Sequence, residues 1–71
     1  MYKYEMIFYW SDEDAAYIVE IPELPGCKAD GKTASEALKN AERIIAEWIE
    51  TAQLIGREIP EPKGRLEMVY I

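Results

Sequence analysis

Histidine is absent from the 71 residues, and cysteine occurs once, at Cys27. The first absence removes the commonest general base and the commonest metal ligand. The second excludes an internal disulfide and a structural zinc site, which normally takes four Cys or His ligands. A nucleophilic Cys27 would need a base beside it, and the sequence offers no imidazole, so Cys27 reads as a small buried hydrophobe. Basic residues are scarce too: 8 against 14 acidic ones, a formal net charge of −6. Nucleic-acid binders carry a basic footprint, so direct nucleic-acid binding is not expected, and the charge serves solubility or a basic partner. No apolar run approaches the roughly 20 residues that cross a membrane. No phosphate-cradling loop or dinucleotide fingerprint appears, and no cofactor is expected. Without a targeting segment at Met1, a cytoplasmic location is expected.

What is present is hydrophobic enough to fold: 49% of the residues. No linker or repeat divides the chain, so residues 1–71 are read as one domain. A chain this short buries roughly 60% of its unfolded surface, which makes the core thin and self-association expected.

Residues 2–10, YKYEMIFYW, read as an aromatic first strand. Tyr2, Tyr4, Met6, Phe8 and Trp10 share one face, and the other face begins polar and turns apolar at Ile7 and Tyr9. Ser11–Asp14 is a turn by composition, and residues 15–21, AAYIVEI, form the returning strand of an antiparallel hairpin. Tyr17, Val19 and Ile21 are expected on the core face. Ile18, with Ile7 and Tyr9, then lines the second face, and an apolar second face on a one-helix fold marks an association surface, here a homo-oligomer of two or four chains.

The stretch IPELPGCKADGKTASEA, residues 21–37, admits three readings: an active-site loop, a metal clasp or an architectural corner. Pro22 and Pro25 end the strand, since proline cannot donate to a ladder. Gly26 suits a positive φ, Cys27–Asp30 a short third strand, and Gly31 another sharp turn. Thr33-Ala34-Ser35-Glu36 is a capping box. Every residue therefore has an ordinary backbone reason to be there, which favours the corner.

Ala37, Leu38, Ala41, Ile44, Ile45, Trp48, Ile49, Ala52 and Ile55 recur at helical spacing, and Gly56 stands at the C-cap position. A helix over Ala34–Ile55 is expected, followed by a last strand over 65–71. The order β-β-β-α-β defines an α+β two-layer sandwich, mainly antiparallel, with one long helix on one face.

Carboxylates are the remaining chemistry. Magnesium-dependent nucleases gather them from separate elements, and Asp12 and Glu20 are the pair such a site would draw on. Most of the other acids fall on the helix's polar face or in the Asp12-Glu13-Asp14 turn, as surface charge does.

Together these residues resemble a known family. The aromatic strand ending in Trp10, the acidic turn, Tyr17-Ile18-Val19, Pro22-Glu23-Leu24-Pro25-Gly26-Cys27, Gly31-Lys32-Thr33, Glu36-Ala37 and Ile59-Pro60-Glu61-Pro62 resemble HicB-like antitoxins over roughly residues 4 to 62. Ala15-Ala16 departs from the pattern, since members often carry a glycine before the tyrosine. The resemblance implies a partial RNase H-like fold, degenerate as a nuclease, with no catalytic or metal-binding residues. It implies a partner too, a small basic RNA-cleaving toxin of the HicA type. Asp12, Glu13, Asp14, Glu23 and Asp30 are the loop acids expected to meet it. Many members continue into a DNA-binding domain; here the seven residues from Arg65 to Ile71 are too few for one, so operator binding is not expected. A metal-dependent nuclease and a solitary oligomeric scaffold are the rival readings.

Overall fold

A computed structural model describes residues 3–62 in full and the backbone of 66–68. Tyr2, Arg65 and the tail 69–71, which the sequence reading includes in its first and last strands, lie outside the described residues. The elements are β1 (Met6–Ser11), β2 (Ala16–Glu20), β3 (Lys28–Gly31), α1 (Ala34–Ile55) and β4 (Leu66–Met68). They form one sheet in the order β3-β2-β1-β4. β1–β2 and β2–β3 pair antiparallel, and β4 pairs parallel with β1. The expected α+β arrangement, three antiparallel strands and one long helix, is therefore the observed one.

Period-2 patterning decides the faces. Phe8 pairs with Val19 and Trp10 with Tyr17, and Val19 pairs with Ala29. Phe8, Val19 and Ala29 of this row, with Tyr4, Met6, Ile21, Leu24 and Cys27, close against Ala37, Ala41 and Ile45 of α1. Tyr17, Leu38, Ile44, Trp48 and Ile49 pack around it half-buried.

The helix has the expected bounds because both ends are chemically marked. Thr33 Oγ1 accepts from the N–H of Glu36 at 3.1 Å, and Gly56 closes the C-terminus at φ 74°. Its last turn departs from expectation. Ile55, assigned to the apolar face, is 69% exposed, and Leu54 beside it is 81% exposed. A 22-residue helix runs roughly 33 Å, whereas a strand of six residues spans about 20 Å. The helix therefore outruns the sheet. Trp10 departs as well. It is 43% exposed and stands edge-on to Tyr17, with ring centroids 5.1 Å apart.

Gly31 has a different use from the turn expected of it. It ends β3 without a positive φ. A Cβ at this position would stand 2.5 Å from the backbone nitrogen of Ala37 and 2.9 Å from its Cα. Glycine is required because the first turn of α1 presses directly on the strand.

The hairpin loop holds one residue in the left-handed region, Ala15, at φ 49°. Alanine there carries a steric cost that glycine avoids. Ala15→Gly is expected to raise stability by about 0.5–1 kcal/mol after glycine's own entropy cost is subtracted. An increase in the thermal unfolding midpoint of a few degrees checks it.

Candidate functional site

The register gathers the predicted acids unequally. Asp12, Glu13 and Asp14 form the turn between β1 and β2, all exposed. Tyr17 at the start of β2 pairs with Gly31 at the end of β3, so Asp30 arrives at the same end of the sheet, also exposed. Glu23 follows the far end of β2 and lies at the opposite end of the fold.

The acidic turn is held in shape by its own neighbours. Trp10 Nε1 donates to Asp12 Oδ1 at 2.8 Å. Ser11 Oγ donates to Asp14 Oδ2 at 3.1 Å and accepts from the N–H of Asp14 at 3.2 Å. Carboxylates fixed before contact cost less to order when a partner arrives. Glu23 is engaged differently: its Oε1 accepts from the N–H of Glu5 at 2.6 Å. β2 turns away at Pro22, and the Glu23 carboxylate takes up a backbone donor that the ladder no longer serves.

Ile7, Tyr9 and Ile18 share the sheet face opposite the helix, as the register Ile7↔Glu20 and Tyr9↔Ile18 requires. Ile7 and Tyr9 are half-buried, and Ile18 is only 4% exposed within the single chain. The Tyr9 hydroxyl donates to Glu20 Oε2 at 2.5 Å. That bond, followed by burial and the charges of Glu20 and Asp14, pushes the Tyr9 phenol up from its ordinary value, so it stays a neutral donor.

The two carboxylates a metal-dependent site would draw on are not brought together by the hairpin. Asp12 and Glu20 belong to opposite ends of the hairpin: Asp12 lies in the turn before β2 and Glu20 ends that strand, whose four residue steps span roughly 13 Å at about 3.4 Å each. Among the described residues no three of Cys, Asp and Glu converge as metal ligands, and no charged side chain is fully buried. Burial pushes the Cys27 thiol up, away from the reactive thiolate. An open groove of about 250 Å³ lies beside it, lined in part by Ile44, Trp48, Ile55 and Arg57. The Arg57 guanidinium covers the Trp48 ring at 5.0 Å from its centroid. No helix among the described residues is long and apolar enough to cross a membrane.

Two structural residues escaped the sequence reading. Leu24 sits at 0% exposure inside a loop read as punctuation. Asn40, on the helix's polar face, donates from Nδ2 to the Asp30 carbonyl at 2.7 Å. The two flanking prolines hide the first, and only the helix's position over β3 reveals the second.

Fold and site thus define an α+β module with one long helix and with four exposed loop acids, Asp12, Glu13, Asp14 and Asp30, at one end of its sheet. The chain belongs to the HicB-like antitoxins of bacterial toxin–antitoxin systems, whose family model matches residues 4–70. It is 43% identical over 58 residues to a UPF0150 protein of Thermoplasma acidophilum, covering 82% of this chain and 83% of that one. A UPF0150 protein of Archaeoglobus fulgidus is 31% identical over 58 residues, 73% of this chain and 84% of its own. One from Synechocystis is 30% identical over 56 residues, 79% and 77% respectively. No solved structure matches the chain.

Proposed function

We propose that this chain neutralises a small basic RNA-cleaving toxin of the HicA type by covering its RNA-binding or catalytic surface. The observation that carries this reading is the exposed acidic end formed by Asp12, Glu13, Asp14 and Asp30, with the Asp12 and Asp14 carboxylates held by hydrogen bonds. Membership of an antitoxin family supports it. An anionic rim steers a cationic partner and fixes its orientation. Glu23 contributes less, because its carboxylate is committed to the Glu5 N–H. The β-β-β-α-β order supports a partial RNase H-like fold used for binding rather than cleavage. The site of action is the cytoplasm, where such a toxin meets RNA.

The test is co-expression with a HicA-type toxin from the same genome, followed by binding measurements on the purified pair. Growth should be restored. The triple change D12K/E13K/D14K should slow association about tenfold or more at low salt and flatten its salt dependence, with a smaller effect on dissociation. Unabated RNA cleavage in the presence of the unaltered chain would refute the reading. So would an association rate indifferent to the triple change.

A further inference from the structure

The outer edge of β3 is open, and its geometry can be derived. The N–H of Ile21 donates to the Cys27 carbonyl at 3.0 Å, and the register continues Glu20↔Lys28, Val19↔Ala29, Ile18↔Asp30 and Tyr17↔Gly31. Bonded and non-bonded pairs alternate along an antiparallel ladder. Ala29 and Gly31 therefore bond to β2, and the backbone groups of Lys28 and Asp30 point away from it. The Asp30 carbonyl is taken by Asn40. The Lys28 N–H, the Lys28 carbonyl and the Asp30 N–H have no hydrogen-bond partner among the described residues.

We propose that this edge is a homodimer interface: two copies of the chain pair antiparallel through β3 about a twofold axis at Ala29. The edge is self-complementary in three respects. Lys28 of each copy falls opposite Asp30 of the other as a bonded pair, so all four outward backbone groups of each strand are satisfied. The same two side chains are exposed on the sheet face away from the helix, so each lysine meets a carboxylate directly across the ladder, the favourable cross-strand combination. Ala29, at the axis, forms the close non-bonded pair, whose Cα atoms approach to about 4.5 Å.

The register is also specified against error. A slip of one residue misaligns the donors and acceptors. A symmetric slip of two sets Lys28 against Lys28, or Asp30 against Asp30. Asn40 is the removable cover of this edge: pairing replaces its bond to the Asp30 carbonyl with one from the second copy's Lys28 N–H. An exposed edge needs such a cover while the chain is alone, and the thin core of a 71-residue chain gains most from a second sheet. This interface differs from the face carrying Ile7, Tyr9 and Ile18.

Sedimentation equilibrium on the purified full-length chain, without any toxin, tests the proposal, so its outcome is separate from that of the neutralising function. The unaltered chain should dimerise. Lys28→Glu places like charges opposite at two symmetry-related contacts and should weaken the dimer about tenfold. The exchange K28D/D30K keeps the pairing complementary and should restore the affinity to within about threefold. Asn40→Ala, which uncovers the edge without removing any dimer bond, should leave the dimer as tight or tighter. Zero-length carbodiimide coupling should yield a Lys28–Asp30 cross-link in the dimer band. A chain that stays monomeric would overturn the proposal. So would a dimer that survives Lys28→Glu but is lost in Tyr9→Lys, or a K28D/D30K protein that folds normally by circular dichroism yet stays monomeric.

Discussion

Gly31→Ala is expected to cost about 1–3 kcal/mol, the range for forcing extra volume into a packed interior. The added methyl would stand 2.5 Å from Ala37 N, 2.9 Å from Ala37 Cα and 2.9 Å from Glu36 C. All three are backbone atoms of the first helical turn, so no rotamer change relieves the clash. Either β3 or the start of α1 must move by several tenths of an ångström or more. Movement of the helix start also disturbs the cap, in which Thr33 Oγ1 and the Thr33 carbonyl accept from Glu36 and Ala37 at 3.1 and 2.9 Å. A domain of this length has a total stability of roughly 4–10 kcal/mol, and each kcal/mol moves the midpoint by about 4–8 °C. A drop of roughly 4–24 °C in the circular dichroism melt is therefore expected. Gly26→Ala is the control. Gly26 has φ 78° but open space around its missing side chain, so its substitution carries only the left-handed backbone cost of about 1 kcal/mol. If Gly31→Ala proves no worse than Gly26→Ala, the close approach of helix to strand is wrong.

Those two glycines mark where the fold was legible in the sequence and where it was not. Gly26 and Gly56 announce positive φ by their place after a proline loop and after a helix, and both have it. Gly31 looks the same in one dimension, but its reason is a neighbour six residues on. The bounds of α1 were legible because Thr33 and Gly56 are local chemical signals. The exposure of Ile55 was not, because periodicity tells which residues share a stripe and not where the sheet beneath it ends. Strand ends failed similarly. Tyr4 is buried and its hydroxyl donates to the Pro60 carbonyl at 2.7 Å, yet β1 begins only at Met6, since pairing rather than side-chain pattern sets the boundary. At the acidic end, Asp12, Glu13 and Asp14 are contiguous and could be found by inspection. Asp30 joins them only through the β2–β3 register, and Glu23 leaves them because β2 turns at Pro22. Loop acids look alike until the hydrogen bond each accepts is known.

Leu24→Ala is expected to have the largest effect, about 2–5 kcal/mol, the range for deleting a buried leucine side chain. Against a total of roughly 4–10 kcal/mol this brings the chain close to unfolding. Leu24 is 0% exposed and belongs to the same core as Val19, Ile21, Cys27 and Ile45. Its backbone is equally fixed: its N–H donates to the Ile21 carbonyl at 3.1 Å, and its carbonyl accepts from Cys27 at 2.9 Å. Pro22 and Pro25 on either side are exposed, so the loop is a staple, with two rigid arms outside and one apolar prong driven between sheet and helix. Trp48 holds it from the other side, its Nε1 donating to the Pro25 carbonyl at 3.0 Å. Loss of the prong should lower the urea midpoint steeply, while Pro22→Ala, at an exposed position, should shift it by less than about 0.5 kcal/mol. A catalytic or metal-clasping loop would behave in the opposite way, since functional loops carry their polar groups toward a ligand and contribute little to the core. A Leu24→Ala protein within about 1 kcal/mol of the parent would mean that this segment is not the corner on which the helix and sheet are joined.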